Sequence, residues 1–158
     1  MKVRDIMTKT AFSCRSEMSL AEAGALMWEH DCGLLPLLND AGKVTGVITD
    51  RDVCIAVSTR DRLPSQIQIG EVAKAAAIVC APDDDIHSAM KTMSKERMRR
   101  LPVVNTDGNL VGVVSMNDIV LQAERGDGRR PEISFEEVVR TFQAICAHPA
   151  GKTRPVAA

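Results

Sequence analysis

The stretch Gly46-Val-Ile-Thr-Asp-Arg-Asp52 has a second copy in the chain, Gly112-Val-Val-Ser-Met-Asn-Asp118. Each copy follows a β-branched run and precedes an apolar segment, which predicts a strand that ends near the hydroxyl residue and a helix that starts after it. The hydroxyl-x-x-Asp spacing is that of a capping box. The N-terminus of a helix also favours anions, and a carboxylate there can accept hydrogen bonds from two ribose hydroxyls. The residues therefore allow two interpretations, a helix cap and a nucleotide-binding loop.

The two copies belong to a longer internal repeat. An offset of 66 residues aligns 5–56 with 71–122 without a gap, and eleven of the 52 pairs are identical. Each unit reads as an extended piece, a capped helix, a strand, a Gly-containing hairpin turn, a second strand and a helix. We therefore predict a mixed α/β (α+β) fold of two tandem β-α-β-β-α motifs, each covering the apolar face of the other.

The remaining segments differ from the repeat. A polar stretch with Pro64 separates the two units, and Ser134-x-x-Glu137 starts an appended helix, with Ile133 and Val138 spaced as a hydrophobic staple. The predicted segments are a first motif over 1–57, a linker over 58–70, a second motif over 71–125, a C-terminal helix over 132–147 and a flexible tail over 148–158.

Composition and charge exclude several classes of protein. The net charge is −1, only 3% of residues are aromatic and none is Tyr, which argues against binding to a nucleic-acid backbone or stacking on bases. No apolar run approaches the ~20 residues of a membrane helix, and the N-terminus lacks the apolar core of a signal peptide. The five cysteines are scattered and odd in number, which favours reduced thiols. We expect a cytoplasmic protein that binds neither nucleic acid nor membrane.

The repeated pattern resembles a known family. Leu35-Pro36-Leu37-Leu38-Asn39, a Gly turn and Gly46-x-x-Thr49-x-x-Asp52 resemble a cystathionine β-synthase (CBS) motif, and the second repeat resembles another. The resemblance implies two α/β units related by a pseudo-twofold axis, often assembled into a homodimer. It also implies regulatory binding of an adenosine-containing ligand, AMP, ADP, ATP or S-adenosylmethionine, in clefts between the units. No obligatory cofactor and no enzymatic activity are expected.

The resemblance nominates residues for two clefts, each named here by its carboxylate. Asp52 and Asp118 would hold the ribose hydroxyls, and the hydroxyl residue three positions earlier would face the phosphate or 5′ substituent. The leading strand of the other unit would supply the adenine wall. The candidates for the Asp52 cleft are Thr49, Arg51, Asp52, Ile78, Met98 and Arg99. The candidates for the Asp118 cleft are Phe12, Cys32, Arg100, Ser115, Asn117 and Asp118.

Three of these residues have an alternative role. Arg99 and Arg100 start a strand, so their side chains point to opposite sides, and by family position each would face one cleft. The guanidinium group suits phosphate, but cations also suit the solvated C-terminal end of a helix. Phe12 is bulky for an adenine wall and would alternatively fill the Asp118 cleft.

Other functions remain open beside ligand sensing. In one alternative the repeat is only a ligand-free dimerisation module. The appended helix would then bind an unknown protein partner. A thiol or metal function would use Cys14 and Cys80, at equivalent positions, or the loose His30-x-Cys32 and Cys146-x-His148 pairs. Burial in the core is the alternative for these cysteines, because Cys is among the most buried residue types. No nucleophile or P-loop motif indicates catalysis.

Overall fold

The structure is a computed structural model that describes residues 1–124 and 132–147. The predicted tail over 148–158 and residue 125 of the second motif lie outside these ranges. The helices are α1 (Val3–Ile6), α2 (Leu20–Glu29), α3 (Asp50–Thr59), α4 (Ile86–Glu96), α5 (Met116–Leu121) and α6 (Phe135–Cys146). The strands are β1 (Leu34–Leu38), β2 (Val44–Thr49), β3 (Lys74–Ala75), β4 (Arg100–Val104) and β5 (Leu110–Ser115).

Each repeat is built on an antiparallel hairpin. β1 pairs with β2 and β4 pairs with β5 in the same register, so that Leu35 lies opposite Ile48. The turns need glycine, because Gly42 and Gly108 have φ of +75° and +82°, a conformation that costs other residues energy. The expected leading strands are shorter than predicted: Cys14 and Cys80 each form one isolated parallel bridge to the first strand of the hairpin.

The segment that precedes each repeat packs on the other repeat. Val3 is fully buried in the core of the second repeat, and its backbone N–H donates to the carbonyl oxygen of Asp84 at 2.9 Å. Its equivalent, Ile69, is fully buried in the core of the first repeat together with Ile67. Residues 58–70 therefore do more than connect the motifs, since they contribute two side chains to the first core. The two units are therefore held together by segments that run from one to the other.

The crossing continues into strand pairing. β3 pairs with the edge of β2, and Lys74 lies opposite Val47. β3 belongs to the predicted second motif, which begins at residue 71, yet it extends the sheet of the first motif. At the equivalent place Thr8 pairs with Val113. Each motif is continuous in sequence, but its N-terminal end pairs with a strand of the other motif.

The appended helix α6 packs against α4 of the second repeat. Val138, Thr141 and Ile145 are its buried residues, and Ile133 joins Val138 in the same core as the predicted staple requires. Within the described residues, no helix combines the length and the apolar character that a membrane span requires.

Candidate functional site

A cavity of about 400 Å³ lies between the repeats at the Asp118 cleft. This volume is within the ~300–1,000 Å³ that small-molecule sites occupy. The lining residues are Thr8, Thr10, Ala11, Phe12, His30, Asp31, Cys32, Gly33, Leu34, Arg100, Val113, Ser115, Asn117 and Asp118. All six residues that the sequence nominates for this cleft are among them. Their roles in binding remain a prediction.

The loop at Asp118 is a helix cap that leaves one carboxylate oxygen available. The Oδ2 atom accepts hydrogen bonds from the backbone N–H of Ser115 at 2.7 Å and from its Oγ at 2.6 Å. The backbone N–H of Asp118 donates back to Ser115 Oγ at 3.3 Å. In the part of the chain that the structure describes, Oδ1 has no protein hydrogen-bond partner. Capping and ligand binding are therefore compatible at this residue.

An aromatic pair forms one wall of the cavity. The ring of Phe12 stacks on the ring of His30, with centroids 3.4 Å apart and planes inclined by 4°. Phe12 thus lines the cavity and does not fill it. The sequence did not nominate His30 as a wall residue, and its only signal was proximity to Cys32. Burial raises the pKa of the Cys32 thiol, which suits a neutral, weakly polar wall.

Arg100 brings a cation from the second repeat to the first. A Cβ atom built on Gly33 would lie 3.3 Å from Arg100 Nη2 and 2.7 Å from Asp50 Oδ2. The guanidinium group and this carboxylate therefore converge beside the bare Cα of Gly33. The absence of a side chain at Gly33 leaves the space that both groups use. Arg100 is the one arginine among the lining residues, so a phosphate or carboxylate on a ligand would meet its charge there.

The equivalent carboxylate at Asp52 has an additional partner. Its Oδ2 accepts from the backbone N–H of Thr49 at 3.1 Å and from Oγ1 at 2.6 Å, as in the second repeat. Its Oδ1 forms an ion pair with Lys74 Nζ at 3.2 Å. Burial raises the pKa of the Asp52 carboxyl group, but the hydrogen bonds from Thr49 and the ion pair outweigh burial, so the pKa lies below its ordinary value. Lys74 is not among the residues that the sequence nominated, although it lies 66 positions after Thr8 and is therefore its equivalent in the repeat.

The other residues nominated for the Asp52 cleft are more dispersed. Ile78 and Met98 are half-buried against the core of the second repeat. Arg51 and Arg99 are exposed. The residues nominated for the Asp52 cleft are thus equivalent by sequence to those of the Asp118 cleft, and the cavity of about 400 Å³ lies on the Asp118 side. Binding roles for these residues remain a prediction.

The cysteines at equivalent positions are core residues. Cys14 Sγ lies 3.6 Å from the carbonyl oxygen of Pro36, and both Cys14 and Cys80 are buried. Desolvation raises the pKa of each thiol to about 12. In the described ranges, no three His, Cys, Asp or Glu side chains are grouped so that they could hold a metal ion.

We expect Cys14 and Cys80 to be inert in the folded protein. A pKa of about 12 leaves a thiolate fraction about a thousandfold smaller than that of an ordinary thiol, and the thiolate is the nucleophile. Titration with an aromatic disulfide reagent at pH 8 should show fast reaction of the exposed Cys54 and Cys146. Denatured protein, in which all five thiols react, is the control. Fast reaction of all five in the native protein would contradict the burial.

A family model described as CBS domain matches residues 3–59 and 69–124. The chain therefore belongs to the family of proteins with CBS domains, in the form of a tandem pair. The expectation from the Leu-Pro strands and the Gly-x-x-hydroxyl-x-x-Asp loops is confirmed. The matching family is a regulatory type of domain and not a catalytic one.

Three matches, one to a protein sequence and two to solved structures, place the chain within this family. Hypoxic response protein 1 of Mycobacterium tuberculosis is 31% identical over 144 residues, which cover 91% of this chain and 93% of that protein. The CBS domain pair of protein MJ0100, solved with 5′-methylthioadenosine and S-adenosyl-L-methionine, superposes with a TM-score of 0.70 at 27% identity. That match covers 77% of this chain and 94% of the other. Hypoxic response protein I, solved with two coordinated zinc ions, gives a TM-score of 0.69 at 30% identity, over 77% and 98% of the two chains.

Proposed function

We propose that the protein is a regulatory module that binds an adenosine-containing ligand in the Asp118 cleft. The observation that carries the proposal is the open cavity, which brings together a carboxylate, an aromatic pair and a cation from two repeats. The uncommitted Oδ1 of Asp118 suits ribose hydroxyls, which donate hydrogen bonds to it. The flat ring pair of Phe12 and His30 suits adenine, which has a π face.

The two ligands of the MJ0100 pair support an adenosine-containing ligand for this protein. Both compounds bound to that pair contain adenosine, and the pair is 27% identical to this chain. Arg100 favours ligands that carry an anionic group, which AMP, ADP, ATP and the carboxylate of S-adenosylmethionine all provide. The choice among these four is the part of the proposal that the ligand titration decides.

The mechanism we propose is ligand-dependent tightening between the repeats. Phe12 and Cys32 come from the first repeat, while Arg100, Ser115 and Asp118 come from the second. A ligand that contacts both sets binds best in the arrangement that brings them together, and it therefore favours that arrangement. A partner that binds the same arrangement would bind more tightly when the ligand is present. The ligand would gain affinity by the same factor when the partner is present.

A ligand-free dimerisation module is the second candidate. Two large apolar side chains favour it, because Trp28 is 88% exposed and Leu121 is 80% exposed. Exposed apolar groups of this size are common at protein interfaces. A homodimer in the cytoplasm is compatible with either function and remains a prediction.

Calorimetric titration with AMP, ADP, ATP and S-adenosylmethionine tests the proposal. We expect at least one to bind the Asp118 cleft with a dissociation constant below the millimolar range. A ligand at 100 times its dissociation constant should add about 2.7 kcal/mol to the free energy of unfolding, seen as a rise in Tm. Cytidine 5′-monophosphate, which keeps the ribose and phosphate, is the control for adenine recognition. No heat and no change in Tm at millimolar concentrations would favour the dimerisation module.

A further inference from the structure

Lys74 and Thr8 occupy equivalent positions in the two halves of the molecule. The backbone of Lys74 pairs with Val47, and the backbone of Thr8 pairs with Val113. Both pairings run past a glycine: a Cβ on Gly112 would lie 2.7 Å from the carbonyl oxygen of Thr8, and one on Gly46 would collide with that of Lys74. At this position the main chain of the two halves is therefore built alike, and the side chains of Lys74 and Thr8 differ.

The side chains change what is offered to a ribose. With Lys74 present, both oxygens of Asp52 are engaged, Oδ2 by Thr49 and Oδ1 by the ammonium group at 3.2 Å. Asp52 is also largely covered, since only 14% of its side chain is exposed. Thr8 carries no charge, and it lines the cavity beside Asp118, where the described residues engage Oδ2 alone.

We propose that Lys74 makes the two clefts unequal, because its ammonium group competes with ribose hydroxyls for Asp52. Adenosine ligands then occupy the Asp118 cleft first, and the Asp52 cleft only at higher concentration. This inference rests on the proposed function and assigns Lys74 as a residue that decides the order of binding. The Lys74 side chain is 69% exposed, and an ion pair so exposed changes an equilibrium constant by about fivefold. Lys74 thus weakens the Asp52 cleft without closing it.

The test isolates one cleft at a time and uses 5′-methylthioadenosine, a ligand without phosphate. In an Asp118→Ala background, only the Asp52 cleft keeps its carboxylate. Adding Lys74→Thr, which installs the residue found at the equivalent position, should tighten binding of the probe about fivefold in calorimetry. Lys95→Thr in the same background is the matched control, because Lys95 is also an exposed lysine in an ion pair, but it pairs with Glu96 and not with Asp52. It should leave the affinity unchanged.

The reciprocal exchange tests the Asp118 cleft. In an Asp52→Ala background, Thr8→Lys places an ammonium group at the position that Lys74 holds in the other half. Binding of the probe should weaken about fivefold, by the same competition. An unchanged affinity in both exchanges would overturn the inference.

The outcomes separate this inference from the proposed function. Equal affinities of the two clefts in the wild-type chain would overturn the inference alone. Weaker binding of AMP or of the probe after Lys74→Thr would also overturn it, since Lys74 would then be a ligand contact. If the wild-type chain binds no probe but Lys74→Thr binds one, the inference stands and the Asp118 assignment fails. If neither chain binds, both fail.

Discussion

Replacing Asp118 with alanine is expected to weaken binding of adenosine ligands at the Asp118 cleft about 100-fold, which leaves the Asp52 cleft as the tighter of the two. The physical reason is the loss of two hydrogen bonds to a charged acceptor, each worth about 1.5–3 kcal/mol, partly offset by water in the vacated space. The measurement is the dissociation constant from calorimetry with the best ligand of the adenosine panel. The same substitution removes half of a capping box, so the free energy of unfolding should fall by about 1 kcal/mol.

Asp52→Ala is a closely matched control for this experiment. Asp52 caps α3 with the same geometry as Asp118 caps α5, so the cost to stability should be similar. The tighter site should keep its affinity within about threefold, because Lys74 already competes for Asp52 and the cavity lies on the other side. If both alanine variants bind as well as the wild type, the ribose role of these carboxylates is wrong. If both lose binding equally, the two clefts act as one unit.

Replacing Ile69 with alanine is expected to lower the free energy of unfolding by about 2–5 kcal/mol. Ile69 is fully buried in the first core although it lies in the segment between the motifs. Removing its three outer carbon atoms loses transfer free energy and leaves a cavity that the interlocked chain fills poorly. Native proteins are stable by about 5–15 kcal/mol, so this one change removes a large share. Urea unfolding followed by circular dichroism measures the loss.

Leu63→Ala controls for the same segment. Leu63 is 63% exposed, and its truncation should change the free energy of unfolding by no more than about 0.5 kcal/mol. The contrast between the two variants is the specific result, because a flexible linker would tolerate both equally. Equal and small losses would show that the segment does not pack on the first repeat in solution.

Much of the cleft could be predicted from the repeat itself. The alignment at an offset of 66 placed a hydroxyl residue and an aspartate at the same point of two units, and the structure caps α3 and α5 with them. The resemblance then placed Phe12 and Cys32 across from Asp118, and the structure lines one cavity with all three. The caps could be predicted because they depend on short spacings and on a motif that occurs twice. The binding roles of the lining residues stay a prediction.

The sequence did not predict that the segment preceding each repeat packs on the other repeat, and the reason is physical. Residues 58–70 are mostly polar and contain Pro64, so their composition is that of a connection. The two isoleucines that enter the first core carry no periodic signal, and nothing near them in sequence shows which repeat they cover. The structure decides this through contacts such as the one from the backbone N–H of Leu20 to the carbonyl oxygen of Ile67 at 2.9 Å.

The repeated seven-residue stretch separates what the sequence determines from what the tertiary structure determines. By itself, the sequence determined that Gly46–Asp52 and Gly112–Asp118 end a strand and cap a helix, because turns and caps are set by neighbouring residues. It could not distinguish Asp52 from Asp118, since the two copies are alike in the residues that matter. The fold makes them different by bringing Lys74 to 3.2 Å from one and uncharged Thr8 to the cavity beside the other. The strength and reach of a charge depend on distance in space, and only the packed chain sets that distance.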